Sequence, residues 1–400
     1  MKYVIVLADG MADEPLQKLD GMTPMEYAKT SNMDMLSQHG TVGMVKTVPD
    51  GMKPGSDVAN LSVMGYDPVA CYSGRSPLEA LSVGVDMKDT DVIFRCNIVT
   101  VSEQEPYEEK TILDHSSSEI STEDADVLMD AIREAFNNET FQFYTGTSYR
   151  HITVWNEGTV LDMEPPHDHL GEVIGPFLPK ESAFREMMAR SFEILNNHPL
   201  NVKRAAEGKN KANSLWFWGA GTKPALQNFT QVTGLKGAMI SAVDLLKGIA
   251  VGAGMQTVNV PGATGGLNTN YEGKAQAALD ALLKDDCDFV YIHLEGPDEM
   301  GHQGETHNKV KSIEFIDQRV IGPVKEGLDA AGERYRMLIL PDHPTPIRCR
   351  THTADPVPFL LYDSSASCEC GGVFSERMAR ESGCCIASGC ELMKKFIGGK

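Results

Sequence analysis

Several short apolar runs in this chain each stop at a carboxylate. Tyr3–Ala8 runs into Asp9, Phe289–Leu294 runs through Glu295-Gly296-Pro297 to Asp298, and Met337–Leu340 runs through Pro341 to Asp342-His343. Runs this short, without polar alternation, read as strands buried on both faces of a parallel sheet. Thr257–Val260 and Pro358–Tyr362 are of the same kind, and Leu215–Trp218, followed by Gly219-Ala220-Gly221, is a further candidate. Helix-like stretches such as Lys274–Leu283 and Lys311–Glu326 separate most of them. Strand alternating with helix predicts a doubly wound α/β fold. Ligands of such a sheet bind beyond the carboxyl ends of its strands, so acids at equivalent strand ends are expected to converge.

The chain's 400 residues exceed one comfortable hydrophobic core. Residues from about 95 to 205 differ in texture from the rest. They hold the amphipathic stretch Thr122–Phe136, the alternating segment Tyr149–Trp155 and Pro165-Pro166-His167-Asp168. Strand–carboxylate units occur on both sides of this stretch. The expected division is a discontinuous core, 1–85 and 210–400, with 95–205 as an inserted α+β domain.

Histidines accompany the acids. Asp298 and His302 are four apart, which brings both onto one helical face or turn. Asp342 and His343 are adjacent at a strand end, and His352 precedes the last core run. Imidazole with carboxylate suits Zn²⁺, Mn²⁺ or similar divalent ions, and cysteine is absent from this set, which disfavours a closed structural zinc site. Ser56, in Lys53-Pro54-Gly55-Ser56-Asp57, opens a helix-like run after a forced turn. A serine there meets unpaired backbone amides and the positive end of the helix dipole, and a metal would activate it further. The plain alternative is an N-cap serine. His167-Asp168 reads as a loop fixed by local hydrogen bonds, and Trp216 and Trp218 as alternating core residues rather than a stacking platform.

Charge and composition exclude several classes. With 36 basic against 56 acidic residues the net charge is −20, which disfavours nucleic acid and anionic membrane as partners. A phosphorylated substrate then needs a locally positive site. No run approaches the ~18–20 apolar residues of a membrane span. The opening Met1–Asp9 reads as a first core strand rather than a signal peptide, so a cytoplasmic protein is expected. Six of nine cysteines follow residue 348. Cys368, Cys370, Cys384 and Cys385 fit no common zinc spacing and read as reduced thiols. No G-x4-G-K-[ST] loop is present, which excludes an ordinary P-loop kinase. The sulfatase nucleophile motif is absent as well.

Leu7-Ala8-Asp9-Gly10-Met11, Gly55-Ser56-Asp57, Pro297-Asp298 with His302, Pro341-Asp342-His343 and His352 with Pro356-Val357-Pro358 occur in that order. Together they resemble the metal and nucleophile signature of the alkaline phosphatase superfamily. Arg95-Cys96-Asn97, Tyr149-Arg150-His151, Trp218-Gly219-Ala220-Gly221 and Val260–Gly265 narrow the likeness to the archaeal-type branch of the cofactor-independent phosphoglycerate mutases, over 1 to about 395. The resemblance implies a three-layer α/β/α core with an inserted cap. It implies two divalent ions, Mn²⁺ foremost, with Mg²⁺, Co²⁺ or Zn²⁺ as alternatives. One ion would lie on Asp298, His302 and His352, and the other on Asp9, Ser56, Asp342 and His343. Arg95 and Arg150 are candidates for the substrate carboxylate and Lys236 for the transferring phosphoryl group, each with a surface ion pair as the alternative. The implied activity interconverts 3-phosphoglycerate and 2-phosphoglycerate through a phosphoserine, in glycolysis and gluconeogenesis. A homoserine-kinase-like phosphotransferase and a metal-dependent phosphomonoesterase are the alternatives on the same core. The partner is a small phosphorylated hydroxy acid, and oligomeric state is not legible.

Overall fold

The computed structural model describes residues 1–366 and 372–398. Cys368 and Cys370 lie outside the described residues. The chain opens with β1 (Lys2–Ala8) and β2 (Thr41–Val45). There follow β3 (Val92–Val101), β4 (Ile112–Asp114), β5 (Phe141–Tyr144), β6 (Arg150–Trp155) and β7 (Ser214–Thr222). The last part holds β8 (Gly237–Ile240), β9 (Gln256–Val258), β10 (Phe289–Leu294), β11 (Tyr335–Leu340), β12 (Val357–Asp363) and β13 (Cys385–Ile386).

Two compact units form, Met1–Tyr72 with Ala225–Lys400, and Ser73–Pro224. The boundaries fall outside the expected 95–205. Helix Arg75–Ser82 packs on β3 and β7, and β7 pairs with β3, so both belong to the second unit. Leu215–Trp218 is accordingly a strand of that unit and not of the first.

The first unit is built on an eight-stranded sheet in the order β13-β2-β12-β11-β1-β10-β8-β9. Val4, Val6 and Ala8 pack with Met33 and Leu36 and with the helices Tyr271–Leu283, Thr306–Ile316 and Gly322–Ala330. On the opposite face the Tyr3 ring meets Phe396 of helix Gly389–Ile397, edge on at 5.6 Å. That helix packs in turn on helix Ser56–Val63. The result is a three-layer α/β/α arrangement, the fold class expected from the sequence.

One strand runs against expectation. β12 is antiparallel to β11, not parallel. The connection His343–Pro356 contains no crossover helix, so the chain re-enters the sheet from the end at which it left.

In the second unit the order is β4-β3-β6-β5, with β7 on β3. Helices Thr122–Phe136 and Ser182–Leu195 supply Leu128, Met129, Ile132, Phe184 and Phe192 to its core. No described helix is long and apolar enough to cross a membrane.

Candidate metal centre and nucleophile

Parallel pairing sets the site. β1 lies between β10 and β11, with Ala8 opposite Leu294 and Leu7 opposite Leu340. The residues that follow, Asp9, Glu295 and Pro341-Asp342, therefore leave the sheet at one level. Gly10 turns the chain at φ 62°, and its N–H donates to Asp342 Oδ1 at 3.2 Å. A Cβ there would stand 2.6 Å from Asp298 Oδ1, so both the conformation and the space require glycine. Helix Gly296–Gln303 starts with Pro297 in its first turn and carries Asp298 and His302 one turn apart.

Two groups result. The ligand atoms of Asp9, Asp342 and His343 lie within 4.8 Å of one another, and so do those of Asp298, His343 and His352. His302 joins the second group, with Nε2 3.3 Å from Asp298 Oδ2 and 2.9 Å from His352 Nε2. Ser56 joins the first, with Oγ 3.2 Å from His343 Nε2 and 3.4 Å from Asp9 Oδ2. Ser56 is the first helical residue and Gly55 the N-cap, and among the described residues the serine hydroxyl bonds to Asp9 and His343 rather than to the helix's own amides. Its hydroxyl faces the carboxylates instead.

The electrostatics call for cations. Burial, then the neighbouring Asp342, Asp298 and Glu295, push the Asp9 carboxyl well above the usual carboxylate range. Asp9 Oδ1 is buried without a hydrogen-bond partner among the described residues. An unsatisfied buried oxygen among three further acids is what a bound divalent ion relieves. Burial also acts against the Asp298 anion, but bonds from His302 and His352 hold its pKa well below the ordinary value. The Asp298 hydrogen bond raises His302 to about 9. His302 Nδ1 stands 2.9 Å from Arg350 O, a pure acceptor, so Nδ1 carries a proton and Nε2 is the nitrogen left for a ligand. The donor set, imidazole with carboxylate, fits a divalent transition ion.

Several residues at the site escaped the sequence reading. Asn60 Nδ2 donates to Asp342 Oδ2 and to Ser56 O, both at 2.8 Å, and its Oδ1 accepts from Tyr291 OH. His293 Nε2 lies 2.8 Å from Asp9 Oδ2. Thr345 Oγ1 donates to Asp298 Oδ1. The available signal was a tyrosine and a histidine within the apolar run of β10, since buried polar groups need partners.

The second unit contains Arg95 and Arg150. Their strands pair so that Arg95 opposes Ile152 and Asn97 opposes Arg150, which puts both arginines on one face. Arg95 is buried, forks onto Glu79, and lies 4.7 Å from the Trp218 ring centre. Trp218 Nε1 donates to Asn97 Oδ1, and its ring meets His167. Trp216 is core, as expected, whereas Trp218 is a platform beneath a guanidinium. Arg150 is exposed, near the Tyr149 ring.

Lys236 is a correction. It precedes β8, and its carbonyl accepts from Phe289 N at the start of β10. β8 and β10 are parallel, so Lys236 lies at the end of the sheet opposite Asp9. Its ammonium pairs with Asp286 at 2.5 Å in solvent.

Known proteins resemble this chain along its length. The family model described as 2,3-bisphosphoglycerate-independent phosphoglycerate mutase matches residues 37–201. A relative from Geobacter sulfurreducens, named "Probable 2,3-bisphosphoglycerate-independent phosphoglycerate mutase", is 48% identical over 99% of this chain and 100% of its own. The mutase of that name from Methanosarcina acetivorans is 46% identical over 92% of each chain. Among solved structures, the PH0037 protein of Pyrococcus horikoshii superposes with a TM-score of 0.82 at 31% identity, covering 100% of this chain and 98% of the other. The cofactor-independent phosphoglycerate mutase of Thermoplasma acidophilum gives 0.68 at 25% identity, covering 100% and 99%. On identity that extends over whole chains, this protein belongs to the family of 2,3-bisphosphoglycerate-independent phosphoglycerate mutases.

Proposed function

We propose that this chain interconverts 3-phosphoglycerate and 2-phosphoglycerate, with Ser56 as the transient phosphoryl acceptor. The observation that carries this reading is the position of Ser56 Oγ, in contact with both Asp9 and His343 at the common strand ends. Asp298, His302 and His352 would hold one divalent ion, and Asp9, Ser56, Asp342 and His343 the other, Mn²⁺ before Mg²⁺, Co²⁺ or Zn²⁺. When bound, such ions lower the pKa of a nearby hydroxyl and neutralise phosphate oxygens.

The chain's own residues do the rest. Ser56 Oγ attacks phosphorus, and the bond from phosphorus to the glycerate oxygen breaks. Glycerate reorients, and its other hydroxyl takes the phosphoryl group back. Asn60, clamped by Tyr291, fixes the Ser56 carbonyl and the Asp342 carboxylate in one geometry, so the nucleophile is held before the substrate arrives. Arg95 and Arg150 are proposed as carboxylate contacts, Arg150 through an exposed guanidinium fork and Arg95 through the edge that Glu79 does not engage. The second unit would then be the substrate-handling domain. A cytoplasmic location goes with this reading.

The relatives at 48% and 46% identity carry the mutase name, which favours this activity over homoserine phosphorylation. The test is direct. Protein supplied with Mn²⁺ is offered 3-phosphoglycerate in one assay and homoserine with ATP in another. Formation of 2-phosphoglycerate in the first alone is expected; ATP consumption in the second alone would overturn the proposal.

A further inference from the structure

The two oxygens of Asp9 have unlike surroundings. Oδ2 lies 2.8 Å from His293 Nε2, whereas Oδ1 is buried without a hydrogen-bond partner among the described residues and lies 3.6 Å from His343 Nε2. Such asymmetry is what a carboxylate needs if one oxygen is tied back and the other is kept for an ion. The question is what fixes His293.

Sheet register answers it. Ile240 of β8 pairs with Ile292 of β10, so Ser241, just past β8, comes beside His293. Ser241 Oγ stands 3.2 Å from His293 Nδ1 and accepts from Val243 N at 3.0 Å. As a metal ligand the Asp9 carboxylate can only accept, so Nε2 is the donor in that contact. Ser241 Oγ already accepts from Val243 N, so its hydroxyl proton is the one free to be donated to Nδ1. Lys274 anchors the same residue through its backbone, its ammonium donating to the His293 carbonyl at 2.9 Å. The chain of donation runs from Val243 N–H to Ser241 O–H to His293 N–H to Asp9. Oδ2, which Ser56 Oγ also approaches at 3.4 Å, is thereby the oxygen tied back.

We infer that Ser241 and His293 are positioning residues that lock the Asp9 carboxylate with Oδ1 presented to a divalent ion. This rests on the reading of Asp9 as a metal ligand. Neither residue touches substrate or ion in this account. Partners of this kind orient a ligand and raise its basicity, and their loss lowers metal affinity about 10–100-fold.

The experiment is a Mn²⁺ titration of the full chain, read by the electron paramagnetic resonance signal of free Mn²⁺, with no substrate present. Wild type should take up two ions. His293→Phe keeps a ring but no donor, and one of the two sites should weaken about 10–100-fold while the other is unchanged. His293→Gln, whose amide N–H can still reach Asp9, should recover most of that loss. Ser241→Ala should weaken the same site by less, and Ser241→Thr, which keeps the hydroxyl, should match wild type. A folded His293→Phe protein with both sites at wild-type affinity would overturn the inference. If that variant does not fold, Ser241 decides: equal affinities for the Ala and Thr variants overturn it. Asp9→Asn separates the two levels of the argument. Should Asp9→Asn retain both ions, the ligand assignment itself is wrong; should it lose one while His293→Phe loses none, only the locking role fails.

Discussion

The Nε2 atoms of His302 and His352 stand 2.9 Å apart, both directed at Asp298. Two ring nitrogens that close repel unless a proton or a cation lies between them and the carboxylate. Without an ion, the His302 proton fills that place, and its hydrogen bond to Asp298 raises the ring's pKa to about 9. His302→Ala should therefore reduce bound Mn²⁺ from two ions per chain to one. The ring is partly exposed, so the fold should tolerate the change. Equilibrium dialysis with metal analysis checks this, and two ions retained would contradict it.

Gly10 offers a steric test of the same centre. A methyl group there meets Asp298 Oδ1 at 2.6 Å and the Asp298 Cα at 2.7 Å, in a backbone conformation that side chains resist. Gly10→Ala should cost about 1–3 kcal/mol for the backbone strain alone, and more for the contact. A urea titration should find a lowered midpoint, with metal uptake weakened at both groups.

Glu376 supplies a pH dependence separate from the site. Its carboxylate accepts from Asp13 N at 3.2 Å and from Thr23 Oγ1 at 2.6 Å, yet burial pushes it up to about 7. The folded value lies above the unfolded one of 4.5, so the neutral acid is the form that folding favours. Its contribution is complete below about 4.5 and is lost as pH rises through about 7. Glu376→Gln should match wild type at pH 5. At pH 8 it should be the more stable, by up to about 3 kcal/mol. Denaturant titrations at the two pH values decide, and a constant difference would contradict the assignment.

Lys236 is expected to be silent. It pairs with Asp286 in solvent at the far end of the sheet. Lys236→Ala should leave kcat/KM and the unfolding midpoint unchanged, and a large fall in kcat would restore it as a phosphoryl contact.

The candidate acids were legible because each comes within a few residues of the end of an apolar run, and parallel register then makes the strand ends level. Ser56 was legible from Pro54-Gly55 and its place before a helix. What the sequence hid was direction and partnership over long range. Gly237–Ile240 is short and starts with glycine, so it carries little strand signal, and the sequence alone does not assign Lys236 to an end of the sheet. Leu215–Trp218 has the pattern of a core strand, and only its pairing with β3 assigns it to the other unit. His293 sat inside an apolar run, and its bond to Asp9 depends on register that spacing does not reveal.

The central claim is that Ser56 accepts the phosphoryl group. Ser56→Ala keeps Asp9, Asp342 and His343, so metal should still bind. The helix should form, since Gly55 is its cap and the serine hydroxyl is directed at Asp9 and His343. Turnover should fall by more than the ~10²–10⁴-fold that follows loss of an acid or base, because the only acceptor disappears. The decisive measurement is acid-quenched incubation with phosphate-labelled 3-phosphoglycerate, followed by peptide mapping. Label on Ser56 of wild type and none on the alanine variant is the predicted result. A Ser56→Ala protein that still forms 2-phosphoglycerate at near wild-type rate would contradict the account.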